Sequence, residues 1–413
     1  MFWEHLRDRF TREALTRSFQ ALRIRDYRRW SIAQLLSGTG GAASQIAMAW
    51  LVIELGGDGL ALGAVTACMM LPTLILGPFI GGLVDRYSRR SVLLVTAVAQ
   101  MLVAGALAAL TFGGVLEIWM LAALSLAHGV AFAADNPARQ LLVMDIVGRE
   151  RMTSAVSMNE VIINGSRVLG PAIAGILLVV SDAAWCFVVN TLVFIPSIVV
   201  LLSLRLRPVV PDDDALDAAP ALRAPGAWRF AVGTPAIRST LLLAVCAAAC
   251  YNIAVVIPLI VVDVFDGGGG TYGALAVAFG LGALPGAFFS ATGPTMPRSS
   301  EVRGMAAAMA AAVVFSAVSW SLPMLFVGLA AVGAVVMWFI ARANAYVMLT
   351  TPAPIRGRIM GLWAMALPGS TVVTGLLVGS LAEATDPRLA YAAVGIVTAL
   401  TVAACWRALR STD

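Results

Sequence analysis

The chain has 413 residues, 60% of them hydrophobic and 12% charged, with a formal net charge of +5. Soluble domains carry about 25% charged residues, so this composition excludes a soluble globular protein and places most of the chain in lipid. All 28 basic residues are arginine.

Residues 1–30 are arginine-rich, with apolar residues at Leu15, Phe19 and Leu22. That spacing reads as a basic amphipathic helix on an anionic surface, or as a partly ordered tail. The first apolar run starts near Trp30, too far in and too long for a cleavable signal peptide. About 20 apolar residues cross a bilayer as a helix. Twelve such runs follow, at 31–54, 60–84, 91–112, 116–137, 156–180, 184–204, 240–263, 272–292, 304–322, 324–349, 359–382 and 388–407. The runs do not alternate polar with apolar, which excludes a β-barrel.

Arginines set the expected orientation. With the N-terminus inside, 25 of the 28 fall in cytoplasmic segments and one, Arg388, falls outside; Arg167 and Arg342 lie in spans. Both termini are therefore expected in the cytoplasm of a bacterial cell, with the chain in the inner membrane. The longest connection, 205–239, contains PDDDALDAAPALRAP. It divides the chain into a bundle at 31–204 and a bundle at 240–407, with a tail at 408–413. A weak repeat at an offset of 204 supports the division: LLVMDIV (141–147) matches AYVMLTT (345–351), and Gly175 matches Gly379. The five cysteines all lie in apolar runs and read as small buried hydrophobes. No Cys or His spacing suggests a metal. The GGGG at 267–270 lacks a following Lys-Ser/Thr and reads as a connector. No ATP-binding motif is present, and nothing suggests an enzyme, a cofactor or a nucleic-acid partner.

Gly81–Arg90 reads GGLVDRYSRR. Gly81, Asp85, Arg86, Arg89 and Arg90 resemble the loop 2–3 signature of the major facilitator superfamily, with Ser88 where the family prefers Gly. LRIRDYRRWSIAQLLSGTG, LALGAV, DNPARQ, RVLGPAIAGIL and IRGRIMGLW extend the resemblance to the subgroup of enterobactin exporters and drug-efflux proteins. The resemblance implies an all-α fold of two six-helix bundles and, with the substrate between the halves, proton-coupled export of small amphipathic compounds such as drugs or siderophores by a monomer. A nutrient importer on the same fold, and a sensor or lipid scramblase, are the alternatives. Span 5 also resembles the antiporter pattern at Ser166, Gly170, Pro171, Ala174 and Gly175. Span 4 lacks the antiporter arginine: Ser125 stands there, before His128-Gly129.

Gly77 and Gly81 are four apart and share a face that a neighbouring helix can approach closely. Asp85 follows one turn on, where a helix N-terminus attracts an acid. By family analogy that partner is span 11, near Ile359, and Arg89 meets an acid at the inner end of span 4, Asp135. The cluster then acts as a conformational latch; the plainer reading is a set of topology-fixing charges. Charges at depth cost about 2.5–3.5 kcal/mol each on insertion scales and need partners or a cavity. His128 and Asp135 share a face of span 4, and Glu160, Asn164 and Arg167 share one on span 5. Asp135 and Glu160 are expected about 12 Å from mid-bilayer. Glu160, Asp135 and, less strongly, His128 are the proton-carrying candidates, with Asp135 alternatively held ionised by Arg89 or Arg139. Gln34, Gly38, Gly41 and Gln45 form a stripe on span 1. Gln34, Gln45, Asn164, Arg167, Tyr251, Asn252, Trp338 and Trp363 are the candidate substrate path, with packing as the other use of the two tryptophans. Arg342 and Asn344 are further polar candidates of the second half.

Overall fold

The structure is a computed structural model that describes residues 20–148, 151–204, 226–292 and 296–409; the side chains of 77–86, 153, 156–157, 226–227, 291–292 and 353–354 are not among those described. Leu15 and Phe19, the PDDDALDAAPALRAP stretch and the last four residues thus lie outside it. Among the described residues, twelve helices are long and apolar enough to cross a membrane. With no water in the bilayer core, a helix satisfies every backbone donor and acceptor within its own segment.

The spans run Arg25–Glu54, Gly59–Arg86, Arg89–Phe112, Ile118–Val147, Met152–Val180 and Ala183–Ser203 in the first half. In the second half, span 7 starts at Pro235, and spans 8, 9, 10 and 12 are Gly269–Thr292, Ser299–Ala317, Leu322–Thr350 and Pro387–Cys405. Span 4 ends ten residues later than the sequence suggests, because the helix continues through Pro137 to Val147. Its polar residues there are neutralised by neighbours rather than looped out. Part of the expected linker is also helical, at Gly226–Gly233, and Gly269 of the GGGG run already begins span 8.

Spans 7 and 11 are interrupted. Span 7 runs Pro235–Tyr251, breaks at Asn252 (φ −79°, ψ 48°), resumes at Ile253–Leu259 and ends in a π turn, Ile260–Val264. Span 11 runs Ala353–Ala364, passes through a π turn at Met365–Gly369 and continues as Thr371–Ala384. Pro258 and Pro368 lie within these irregular stretches; each lacks a backbone donor and crowds the preceding turn.

Contacts divide the chain into two compact units: residues 1–48 with 75–212, and residues 49–74 with 213–413. The outer part of span 2 thus groups with the second half instead of the expected 31–204 bundle. The reason is backbone-close packing: a Cβ at Gly63 would lie 2.7 Å from the Gly375 carbonyl oxygen, and Gly59 similarly abuts Gly379.

In the first unit, span 1 is wedged against spans 5 and 6. A Cβ at Gly170 would meet Ala42 and lie 2.8 Å from the Thr39 carbonyl oxygen, and one at Gly38 would lie 2.7 Å from Ser166 Oγ. Ser197 Oγ donates to the Ala33 carbonyl at 3.2 Å. A short 3-10 turn, Gln20–Arg23, precedes span 1. The turn and the first residues of span 1 are strapped to the start of span 5: Ala21 N–H donates to Ser154 Oγ at 3.0 Å, and Tyr27 Oη donates to the Ala155 carbonyl at 3.0 Å. Ala21, Tyr27 and Trp30 enter one core with Leu93, Ala138, Leu142 and Leu201.

In the second unit, spans 8 and 10 meet backbone to backbone, with Gly282 and Gly286 against Ala330 and Ala334. Span 9 packs on spans 10 and 12.

Candidate functional site

The helix of span 2 continues through Gly77, Gly81, Asp85 and Arg86, but the side chains of these four latch candidates lie outside the described residues. Arg89 is described, and it does not pair with Asp135. It forms an ion pair with Asp145, at the far end of the extended span 4. The longer helix carries Asp145 level with the start of span 3, and Asp135 sits almost three turns deeper. Arg90 donates to the Leu202 carbonyl at 2.6 Å, closing the end of span 6. Ser88 is the N-cap of span 3. Its Oγ accepts from the Ser91 N–H at 3.1 Å, and its φ of −62° needs no glycine.

The second unit repeats this plan with the charges exchanged. Glu301, in the first turn of span 9, takes Arg342 of span 10 in a two-pronged pair, Nε to Oε1 at 2.9 Å and the terminal nitrogen to Oε2 at 2.6 Å. Ser299 Oγ donates to the Leu409 carbonyl at 2.7 Å, and the Arg303 guanidinium lies 4.2 Å from the Trp406 ring centre. Arg342 is 5% exposed. It acts as the buried half of a bridge within the protein.

Asp135 is 5% exposed. It pairs with Arg139, one turn along the same helix, and Thr96 Oγ1 of span 3 donates to its Oδ1 at 3.3 Å. Thr96 lies four to five residues from the middle of span 3. Asp135 is therefore about 7 Å from the helix centre, not the expected 12 Å. His128, seven residues away on the same stripe, is half-buried and stacked on Phe132 at 6.1 Å.

On span 5, Asn164 donates to the Glu160 carbonyl at 2.8 Å and accepts from Arg167 at 3.4 Å. The three share one face, as their spacing requires. The Glu160 side chain is exposed, and among the described residues nothing binds its carboxylate. Ser166 and Gly170 of the span 5 motif turn to span 1, where Ser166 Oγ donates to the Leu35 carbonyl at 3.4 Å; Pro171 and Gly175 are buried. The span 1 stripe does not face one way. Gly38 is inside the contact with span 5, Gln34 is buried and Gln45 is exposed.

In the second unit Asn252 sits at the break of span 7, and its amide donates to the Thr371 carbonyl at 3.3 Å, just past the π turn of span 11. Two interrupted helices thus meet, and interruptions of this kind recur at functional sites in membrane transporters. Tyr251 makes an edge contact with Phe279 at 5.7 Å. Trp338 lies 5.5 Å from Phe289. Trp363 is buried at 4% exposure, as its packing use requires. Sequence reasoning missed Asp145, Glu301, the capping role of Ser88 and the two interruptions. The available signals were the Pro258 and Pro368 positions and a Ser three residues before Ser91. Among the described residues no group of His, Cys, Asp or Glu is arranged to hold a metal.

Residues 16–413 match the family model described as transmembrane secretion effector. The multidrug efflux pump Tap of Mycolicibacterium fortuitum is 27% identical over 374 residues, 88% of this chain and 91% of that protein. The Staphyloferrin A transporter of Staphylococcus aureus is 29% identical over 176 residues, 42% of this chain and 44% of that one. The Macrolide efflux protein A of Streptococcus pyogenes is 26% identical over 158 residues, 38% of each chain. Among solved structures, the nucleoside transporter NupG superposes with a TM-score of 0.73 at 13% identity, over 92% of this chain and 98% of that one. A bacterial homologue of the lysosomal transporter Spinster superposes at 0.71, with 13% identity over 94% and 97%. These structural likenesses show the fold.

Proposed function

The chain belongs to the transmembrane secretion effector family of the major facilitator superfamily, and from that premise we propose that it is a proton-coupled exporter of small amphipathic compounds, neutral or cationic. The observation that carries this reading is how the basic groups of the spans are held. Arg139 is paired with Asp135 and Arg342 with Glu301, and Arg167 donates to the neutral Asn164 amide. These basic groups are engaged by the protein, whereas the exposed Glu160 carboxylate is an acidic group open to a cation or a proton. One carboxylate that holds either a proton or a cationic substrate, but not both, exchanges one for the other across the membrane. The efflux relatives, Tap and Macrolide efflux protein A, support export. The 25-to-1 arginine bias supports a cell membrane orientation with both termini in the cytoplasm.

Inside-out vesicles with an imposed pH gradient test the reading, using ethidium and a macrolide as solutes. Gradient-driven accumulation of either, lost in Glu160→Gln, is the expected result. Accumulation that Glu160→Gln leaves intact refutes the coupling residue, and uptake confined to right-side-out cells favours an importer. A siderophore substrate is the second reading, favoured by the match to the Staphyloferrin A transporter. An iron-free siderophore in the same vesicles decides between them.

A further inference from the structure

Between spans 3 and 4 lies a polar cluster separate from Glu160. It comprises Thr96 and Gln100 on span 3, four apart and on one face, and Asp135 and Arg139 on span 4, spaced likewise. Thr96, Gln100 and Asp135 are each 5% exposed. The Gln100 amide nitrogen and Arg139 Nε are buried donors with no hydrogen-bond partner among the described residues. Buried polar atoms are nearly always satisfied, so two spare donors in one cluster indicate a place where a proton-bearing group or water is exchanged. The spans are antiparallel, so Gln100 lies one turn beyond Thr96 towards the level of His128.

We infer that these four residues form a buried protonation switch, in which Asp135 exchanges the Arg139 guanidinium for a proton. This rests on the proton-coupled reading above and supplies a second group for it. In the resting pair the two charges cancel. When a proton adds to the Asp135 carboxylate, the cluster gains one positive charge, and a lone guanidinium is costly in an apolar interior. Arg139 has a way out. Its side chain is 28% exposed against 6% for that of Asp135, and it lies one turn nearer the arginine-rich end. The released Arg139 extends to water there. The neutral acid stays behind, held by the Thr96 hydroxyl and reachable by the Gln100 amide. Loss of the proton draws Arg139 back. The switch thus turns one proton into a movement of one guanidinium at the end of span 4.

Among the described residues, the other charged groups on the packed elements do not replace Arg139. Arg89, at the start of span 3, is taken by Asp145, and Arg90 is turned to span 6. On span 5, Arg167 bonds Asn164 and Glu160 is exposed. His128 is the remaining titratable group on the stripe, seven residues away.

The test uses the full chain in proteoliposomes loaded with DNA, so that ethidium entry is read by fluorescence. Initial rates are measured with a pH gradient and, separately, across a series of equal internal and external pH. Asp135→Asn is expected to lower the gradient stimulation about tenfold. Gln100→Leu and Thr96→Val are expected to move the pH midpoint by about half a unit, and Arg139→Gln to flatten the profile. A purely structural ion pair would lower the yield of Arg139→Gln without touching the profile, and that result overturns the inference. Full stimulation in Asp135→Asn does so too. Should Asp135→Asn not be recovered as a single species, unchanged midpoints in both span 3 variants overturn it. Wild-type ethidium flux indifferent to the gradient refutes the proton-coupled reading itself; a wild-type response that these variants leave unchanged refutes the switch alone.

Discussion

Glu301→Gln removes the charge that holds Arg342 while leaving the arginine in place. Arg342 is 5% exposed and donates twice to the Glu301 carboxylate, at 2.9 and 2.6 Å. Breaking a buried pair from one side costs about 3–5 kcal/mol, because the partner's charge is left uncompensated. The Glu301 side chain retains 23% exposure, so water at its end recovers part of this, and a cost of about 2 kcal/mol is expected. For a unit of roughly 200 residues, that lowers the melting temperature by about 4–8 °C. Detergent-solubilised protein heated in steps and assayed for monodispersity by fluorescence-detected size exclusion reads this shift. The reversed pair, Glu301→Arg with Arg342→Glu, should recover more than half of the loss, since the first unit carries that polarity at Arg89 and Asp145. If Glu301→Gln melts within a degree or so of wild type, the pair contributes little and the argument from burial is wrong.

Ser88 should behave as a cap rather than as a substitute for glycine. Ser88→Ala is expected to cost about 1 kcal/mol and Ser88→Gly a few tenths, read from the same melting assay; equal losses would show that the Oγ contact is idle. Gly170→Leu should prevent spans 1 and 5 from closing, because even a Cβ meets Ala42 and the Thr39 carbonyl. The expected result is loss of monodisperse protein, and a well-folded Gly170→Leu would contradict the packing described.

Apolar length decides where spans lie, so all twelve could be placed from sequence. Span 4 was ended at Pro137 because Asp135, Pro137 and Arg139 together read as the approach to a loop that begins at 138. The helix passes through them because Asp135 and Arg139 neutralise each other one turn apart. The same extension moved Asp145 into reach of Arg89 and left Asp135 for Thr96. Partner choice between helices depends on register, which sequence spacing within one helix does not carry. The glycines of span 2 were read for their inner positions, and the described close approach is at Gly59 and Gly63. Glu160, Asn164 and Arg167 were legible together because all three belong to one helix and the period alone groups them. Asn252 was legible as a polar residue but not as a break, since its backbone turns between two helical segments whose flanking residues are apolar.

The strap from the 3-10 turn to span 5 bears on how the molecule is made. Ala21 and Tyr27 leave the ribosome about 130 positions ahead of their partners, Ser154 and Ala155. At roughly 5–20 residues per second, the partners arrive some 6–26 seconds after the residues that need them. The first unit can therefore lock the entry to span 1 only after four spans have been delivered to the membrane, and a substitution within Ala21–Tyr27 that breaks these bonds would act on assembly before it acted on transport.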